Sequence, residues 1–306
     1  MTPESPEKLK SVAAGTSEIK ICVINGNPMR LDGGSMFGNA PKALWERWLP
    51  ADDRNMIDIG ARCMLVKTES AVILFETGPG AYLPPDMRER FQIRDGEHRL
   101  LTALAEEGVA HEDITHVVLS HLHFDHAGGL LAQWQEGREG LELLFPNARF
   151  IVGRKNYERS ARPHFRDRAS FIPGLAALLE ESGRLDLKQD GDRLNIDGLE
   201  IEFRESHGHT PGMLVSWLQA GETSVVFTGD LIPAHPWVSL PITMGYDRFP
   251  EGLVDEKKQF LEQAVEENAL LVYPHDPEIC ASYLDRDVKK GRITPAGRLA
   301  ALAMVV

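Results

Sequence analysis

Residues Ile114 to Leu130 read ITHVVLSHLHFDHAGGL, and the fold turns on this stretch. Ile114, Val117, Val118 and Leu119 form a β-branched-rich run of strand length, and the paired glycines Gly128 and Gly129 come only after a further turn of chain. The run predicts a buried strand ending in a loop. That loop carries His121, His123, Asp125 and His126, two imidazoles at i and i+2 followed by a carboxylate and a third imidazole. Imidazole nitrogen and carboxylate oxygen together suit a borderline divalent ion such as zinc. Four donors within six residues exceed what one tetrahedral ion takes from a single loop, so the segment points to two adjacent ions. The plain alternative, a histidine-rich surface loop, leaves the matching donors downstream unexplained.

The string H-L-H-F-D-H resembles the signature of the metallo-β-lactamase superfamily of metal-dependent hydrolases. Ser206-His207-Gly208-His209-Thr210-Pro211-Gly212 resembles the family's G-H-T-P-G element. Thr228-Gly229-Asp230 resembles the element with the bridging aspartate, and Tyr273-Pro274-His275-Asp276 the one with the last histidine. The resemblance implies an α/β fold, an αββα four-layer sandwich of two mixed β-sheets flanked by helices. It also implies that His121, His123 and His209 hold one ion, that Asp125, His126 and His275 hold the other, and that Asp230 bridges them. The implied cofactors are two divalent ions, zinc first, with iron or manganese as alternatives. Glu76-Thr77-Gly78 departs from the family, which usually has aspartate in the place of Glu76. Glu76 keeps the charge on a longer stem and is read as a carboxylate beside the ligand imidazoles, where it would orient a ring and fix its tautomer.

With 306 residues, 42% of them apolar, the chain can bury a sizeable core, and residues 18–306 are read as a single domain. The formal charge, 33 minus 46 or −13, and the lack of a dense basic cluster argue against nucleic acid as a partner. Cys22, Cys63 and Cys280 lie far apart with no C-x-x-C spacing, which argues against a disulfide framework and fits a reduced cytoplasmic setting. Residues 1–17 carry no apolar run of signal-peptide length and read as a disordered leader. No stretch approaches the roughly 20 apolar residues of a membrane span.

In chain order, Ile19–Ile24 reads as the first strand and Asn25–Gly38 as a long loop, followed by a short helix over Pro41–Leu49. Cys63–Val66 and Ala71–Phe75 read as a hairpin, and Glu97–Glu107 as a helix stopped by Gly108. Phe150–Val152, Leu199–Arg204, Met213–Leu218, Ser224–Phe227 and Leu270–Tyr273 read as strands. Asn156–Arg162, Leu175–Ser182, Glu256–Asn268 and Thr294–Met304 read as helices. His98, His111 and His164 stand in polar surroundings and read as surface residues. Phe37 with Met36, and His207, His235, Trp237, Met244 and Tyr246, are the candidates for groups beside the metals or lining the pocket.

The chemistry implied is attack on an ester-like carbonyl or phosphoryl centre by a metal-bridging hydroxide, with Asp125 and Asp230 as the catalytic carboxylates. The long opening loop and the undivided G-H-T-P-G element resemble the lactonase and organophosphate-hydrolase branch. The leading expectation is therefore a lactonase, with N-acyl homoserine lactones among its substrates. An organophosphate triesterase or arylesterase is the alternative, followed by a non-catalytic metal-dependent sensor or a mononuclear iron oxygenase. The expected partner is a small-molecule ester or lactone, with neither nucleic acid nor membrane, and a homodimer through the opening segment stays open.

Overall fold

The computed structural model describes residues 18–287, 289 and 291–306; the leader expected over 1–17 lies outside the described residues. The strands in chain order are β1 (Lys20–Asn25), β2 (Met29–Asp32), β3 (Met56–Ile59), β4 (Arg62–Lys67), β5 (Val72–Phe75), β6 (His116–Val118), β7 (Arg149–Gly153) and β8 (Leu185–Lys188). They continue with β9 (Arg193–Ile196), β10 (Leu199–Ser206), β11 (Met213–Ala220), β12 (Thr223–Phe227), β13 (Leu270–Val272), β14 (Ala281–Asp287), β15 (Arg292–Leu299) and β16 (Ala303–Val305). The helices are α1 (Gly33–Phe37), α2 (Lys42–Trp45), α3 (Pro85–Arg90), α4 (Arg99–Glu106), α5 (Phe124–Ala127), α6 (Arg154–Ala161), α7 (Leu175–Glu181) and α8 (Pro250–Glu266).

Two seven-stranded sheets result, one ordered β16-β1-β4-β5-β6-β7-β8 and the other β15-β14-β13-β12-β11-β10-β9, with β2 and β3 paired apart from them. Both sheets are mixed: β5 to β8 run parallel, as do β12 and β13, and the remaining pairs are antiparallel.

Alternation along each strand sorts the side chains into layers. Met64, Val66, Ile73, Phe75 and Val118 of the first sheet meet Phe203, Leu214, Leu218, Phe227 and Val272 of the second in the central core. The intervening Cys63, Leu65, Leu74 and Val117 turn outward against Leu100 and Leu104 of α4 and Leu175 and Leu179 of α7. On the other side Val215, Trp217, Val226 and Leu271 pack against Leu253, Phe260 and Leu261 of α8. Where both faces of a strand are covered, as in β4, β7 and β12, it reads as a nearly continuous apolar run. The result is the four-layer αββα sandwich.

Three expectations are corrected. Asn25–Gly38 is not a plain loop but contains β2 and α1, with the Asp32 carboxylate accepting from the Ser35 amide (2.7 Å) to cap that helix. Thr294–Met304 is not a helix but parts of β15 and β16. Its alanines favour a helix locally, but ladder pairing of Ile21 with Met304 and of Tyr283 with Ala296 satisfies the backbone as sheet. His98 is buried, with Nε2 3.0 Å from the Gly129 carbonyl, rather than on the surface.

Candidate metal centre

The ligand segments all follow strand ends. β6 runs out at Val118, and the chain turns so that His123 precedes α5, placing His126 on that helix rather than in a loop. The turn is held by neighbours distant in sequence. The Ser120 amide donates to Glu76 Oε1 (2.8 Å), and the Leu122 amide donates to Asn156 Oδ1 (2.9 Å). The Asn156 amide nitrogen reaches Thr210 Oγ1 and the Pro211 carbonyl, both at 3.3 Å, and so ties this turn to the His209 loop. Thr77 donates to the His126 carbonyl from both its backbone amide and its hydroxyl. Gly128 and Gly129 allow that approach: a Cβ on them would stand 2.2 Å from the Pro79 carbonyl and 2.1 Å from the Thr77 carbonyl.

Two groups of donor atoms converge. His121 Nε2 and His209 Nε2 lie 3.0 and 3.2 Å from His123 Nδ1. His126 Nε2 and His275 Nε2 are 3.0 Å apart, with Asp125 Oδ2 3.7 and 3.5 Å from them. Asp230 spans both groups: Oδ1 is 3.4 Å from His126 Nε2 and 3.3 Å from His275 Nε2, and Oδ2 is 3.3 Å from His209 Nε2. Donors at about 2.0–2.1 Å from a tetrahedral ion stand roughly 3.4 Å from one another, close to these separations. His121, His126 and Asp230 form a further close triple, so the two groups are contiguous.

The outward nitrogen of four of the rings is engaged. His121 Nδ1 lies 2.9 Å from Ser120 Oγ, His209 Nδ1 2.9 Å from Asp247 Oδ1, and His275 Nδ1 2.9 Å from the Gly60 carbonyl. His126 Nδ1 lies 3.3 Å from Glu76 Oε2, an ion-pair contact without a hydrogen bond. Where the outer partner is a carboxylate or a carbonyl, it takes the ring proton and leaves a lone pair facing inward. Two lone pairs at 3.0 Å repel unless a cation lies between them. Asp230 Oδ1, Glu76 Oε2 and His123 Nε2 are buried and lack hydrogen-bond partners. For Asp230 this is the signature of an oxygen meant for a cation. The residues present therefore fit two ions.

The electrostatics agree. Burial, then the neighbouring imidazoles, hold His121 and His123 well below the usual histidine range, so both are neutral donors. Burial opposes charge on His126, but Asp230, Glu76 and Asp125 outweigh it and raise that ring well above the range. His209 and His275 are likewise raised against burial, chiefly by Asp230. Asp230 is lowered well below the carboxylate range despite burial, by the His126, His275 and His209 rings. The cluster's field favours positive charge at its centre.

Asp125 is the donor that meets solvent, its side chain 13% exposed against 6% for Asp230 and 1–4% for His126, His209 and His275. Phe37 and Trp237 stack at 4.3 Å and are fully buried, as Met36 and Met244 nearly are, so they build the interior of a wall rather than its surface. Tyr246 is 38% exposed. Burial and the Asp125 charge raise its phenol, and they raise that of Tyr82 as well, so both rings stand in the field of Asp125. His207 turns away: Nδ1 accepts from the Gly212 amide (3.0 Å), and the side chain is 44% exposed. His235 is locked by Asp276, whose Oδ2 lies 2.6 Å from Nδ1 and accepts from the His235 amide (3.0 Å).

Sequence reasoning missed Asp247, Asn156, Tyr82 and the Gly60 carbonyl. None lies in a motif, and each acquires a role only by proximity in the fold.

A four-layer αββα sandwich with two contiguous donor sets beyond its strand ends defines a metal-dependent hydrolase. The chain belongs to the metallo-beta-lactamase superfamily, whose family model matches residues 58–275. It is 28% identical over 288 residues to an N-acyl homoserine lactonase of Agrobacterium fabrum, covering 87% of this chain and 96% of that one. Among solved structures it resembles a probable metal-dependent hydrolase from Staphylococcus aureus, with a TM-score of 0.79, 24% identity and coverage of 94% of this chain and 100% of the other. It also resembles a dizinc quorum-quenching lactonase in complex with a product, N-hexanoyl-L-homoserine, with a TM-score of 0.68, 22% identity and coverage of 94% and 96%.

Proposed function

We infer that residues 18–306 form one catalytic unit, a dinuclear zinc hydrolase that opens lactones, N-acyl homoserine lactones foremost. The observation that carries this reading is the Asp230 carboxylate facing both donor sets with one oxygen each. When bound, two divalent ions supply Lewis acidity toward a carbonyl oxygen and activate water at neutral pH. The chain's own groups do the rest. Asp230 holds the two donor sets in register. Asp125, at the solvent side of the cluster, is placed to take a proton from the attacking water and return it to the leaving oxygen. Tyr82 and Tyr246, their phenols raised by burial and by Asp125, stay protonated in the field of that carboxylate. Lactone as the substrate class is supported by the lactonases to which the chain is similar, and zinc by the dizinc lactonase it resembles in fold. The free thiols Cys22, Cys63 and Cys280 accord with a reducing, cytoplasmic setting. Among the described residues no helix is long and apolar enough to cross a membrane.

The test is zinc content per chain together with hydrolysis of an acyl homoserine lactone and an aryl phosphotriester on one preparation. Two ions with preferential lactone turnover is the expected result. Two ions with phosphotriester turnover alone would move the assignment to an organophosphate triesterase, and two ions with no turnover would refute the enzymatic reading.

A further inference from the structure

One turn of α8 touches both loops that fix the His209 ring. Glu256 faces the loop leading into His209: Oε2 accepts from the Ser206 hydroxyl (2.6 Å) and the Gly208 amide (3.2 Å), and Oε1 from the His207 amide (2.9 Å). The same loop lies directly on the helix, since a Cβ on Gly208 would stand 2.4 Å from Leu253 Cβ. Lys257, the next residue, is fully buried and sends its ammonium to the carbonyls of Trp237 (2.9 Å), Ser239 (3.2 Å) and Ile242 (2.6 Å). Those carbonyls belong to the segment that ends in Asp247, whose Oδ2 accepts from the Met244 amide (2.6 Å) and whose Oδ1 receives His209 Nδ1 (2.9 Å).

Burial pulls the Lys257 ammonium down to about 7, and a charge so buried is sustained only where its hydrogens are all used. Among the described residues no carboxylate lies within ion-pair distance of Lys257. Its three hydrogens instead gather three carbonyls of one loop, a geometry no apolar residue can reproduce. We propose that Glu256 and Lys257 are positioning residues that clamp, from adjacent places on α8, the backbone before His209 and the loop carrying Asp247, thereby setting the orientation and tautomer of one imidazole. The inference rests on the dinuclear reading above. It adds that retention of the two ions is separable: the ion held by His121, His123 and His209 depends on α8, whereas the one held by Asp125, His126 and His275 does not.

The experiment compares full-length, zinc-loaded wild type with Lys257→Met, Glu256→Ala and the exposed neighbour Lys258→Ala. Zinc transfer to a competing chelator is measured alongside the imidazole 15N and Nδ1–H signals of histidine-labelled protein. Expected for Lys257→Met and Glu256→Ala is a ~10- to 100-fold weaker hold on one ion only, with a changed His209 ring signal and unchanged His126 and His275 signals. Lys258→Ala is expected to match wild type. Equal weakening of both ions, or a lower melting temperature with both affinities and the His209 signal intact, would overturn the proposal by reducing the pair to general support of the fold. If Lys257→Met does not fold, Glu256→Ala, on a partly exposed side chain, carries the same test. Wild type holding fewer than two zinc ions would defeat the dinuclear reading, while the His209 ring signal would still report whether the clamp exists.

Discussion

Replacing Asp247 with asparagine removes one oxygen and no volume, and the two bonds of this buried carboxylate make the consequence calculable. Oδ2 accepts from the Met244 backbone amide at 2.6 Å, an obligate donor. Oδ1 lies 2.9 Å from His209 Nδ1. An asparagine can serve only one of them with its oxygen. If the oxygen faces Met244, the NH2 group meets His209 Nδ1, which must become the acceptor. The ring proton then moves to Nε2, the atom 3.3 Å from Asp230 Oδ2 and 3.2 Å from His123 Nδ1, where a lone pair is needed. If the amide flips, two donors face each other in a site closed to water, at a cost of about 1–3 kcal/mol. By either route the expected loss in affinity for the ion shared with His121 and His123 is ~10- to 100-fold, or about 1.4–2.7 kcal/mol. Competition against a chromogenic chelator measures it, and lactone turnover at limiting zinc should fall in step. An Asp247→Asn protein that holds both ions as wild type does would refute the reasoning that the ring is set from outside the cluster.

Two further outcomes follow from the fold. Gly129→Ala would drive a Cβ to within 2.1 Å of the Thr77 carbonyl, backbone against backbone, so it should cost about 3 kcal/mol in denaturant unfolding of the metal-free protein; a change below about 0.5 kcal/mol would mean that the turn is not held as described. Burial raises the Asp32 carboxyl, but hydrogen bonds from Asn55 and Ser35 outweigh it and lower the group. Its capping contribution is therefore present above the ordinary aspartate range and is lost as pH falls through the lowered folded value, and Asp32→Ala, expected to lose about 1 kcal/mol at neutral pH, should show a flatter acid limb in stability against pH.

What the sequence disclosed and what it withheld divide along a physical line. The first-half donor cluster was legible because His121, His123, Asp125 and His126 lie within six residues, and a run of donors that close has few other uses. The hairpin of β4 and β5 and helix α4 were legible because each carries its own period and its own stops, whereas α8 was read only from Glu256 and begins at Pro250. The strands β15 and β16 were not legible. The alanines between Thr294 and Met304 favour a helix, and the stretch becomes sheet only by pairing with strands brought to it by the rest of the fold, Met304 finding Ile21 from the opposite end of the chain. Asp247 and Asn156 were illegible for the same reason: the partners that give them meaning are 38 and 34 residues away.

Glu76 shows how far such a departure can be carried. Read alone, a glutamate where the family has aspartate suggests altered metal geometry. In the fold the longer side chain reaches two places at once, the Ser120 amide at 2.8 Å and His126 Nδ1 at 3.3 Å, from a backbone held in the left-handed region at φ 64°. That backbone costs on the order of 1 kcal/mol for a residue with a Cβ. The strain is tolerable because the same carboxylate both fixes the turn before His121 and sets its negative charge against the outer side of the His126 ring. Glu76 thus acts on the frame around the donor cluster, through the Ser120 amide and the outer side of His126.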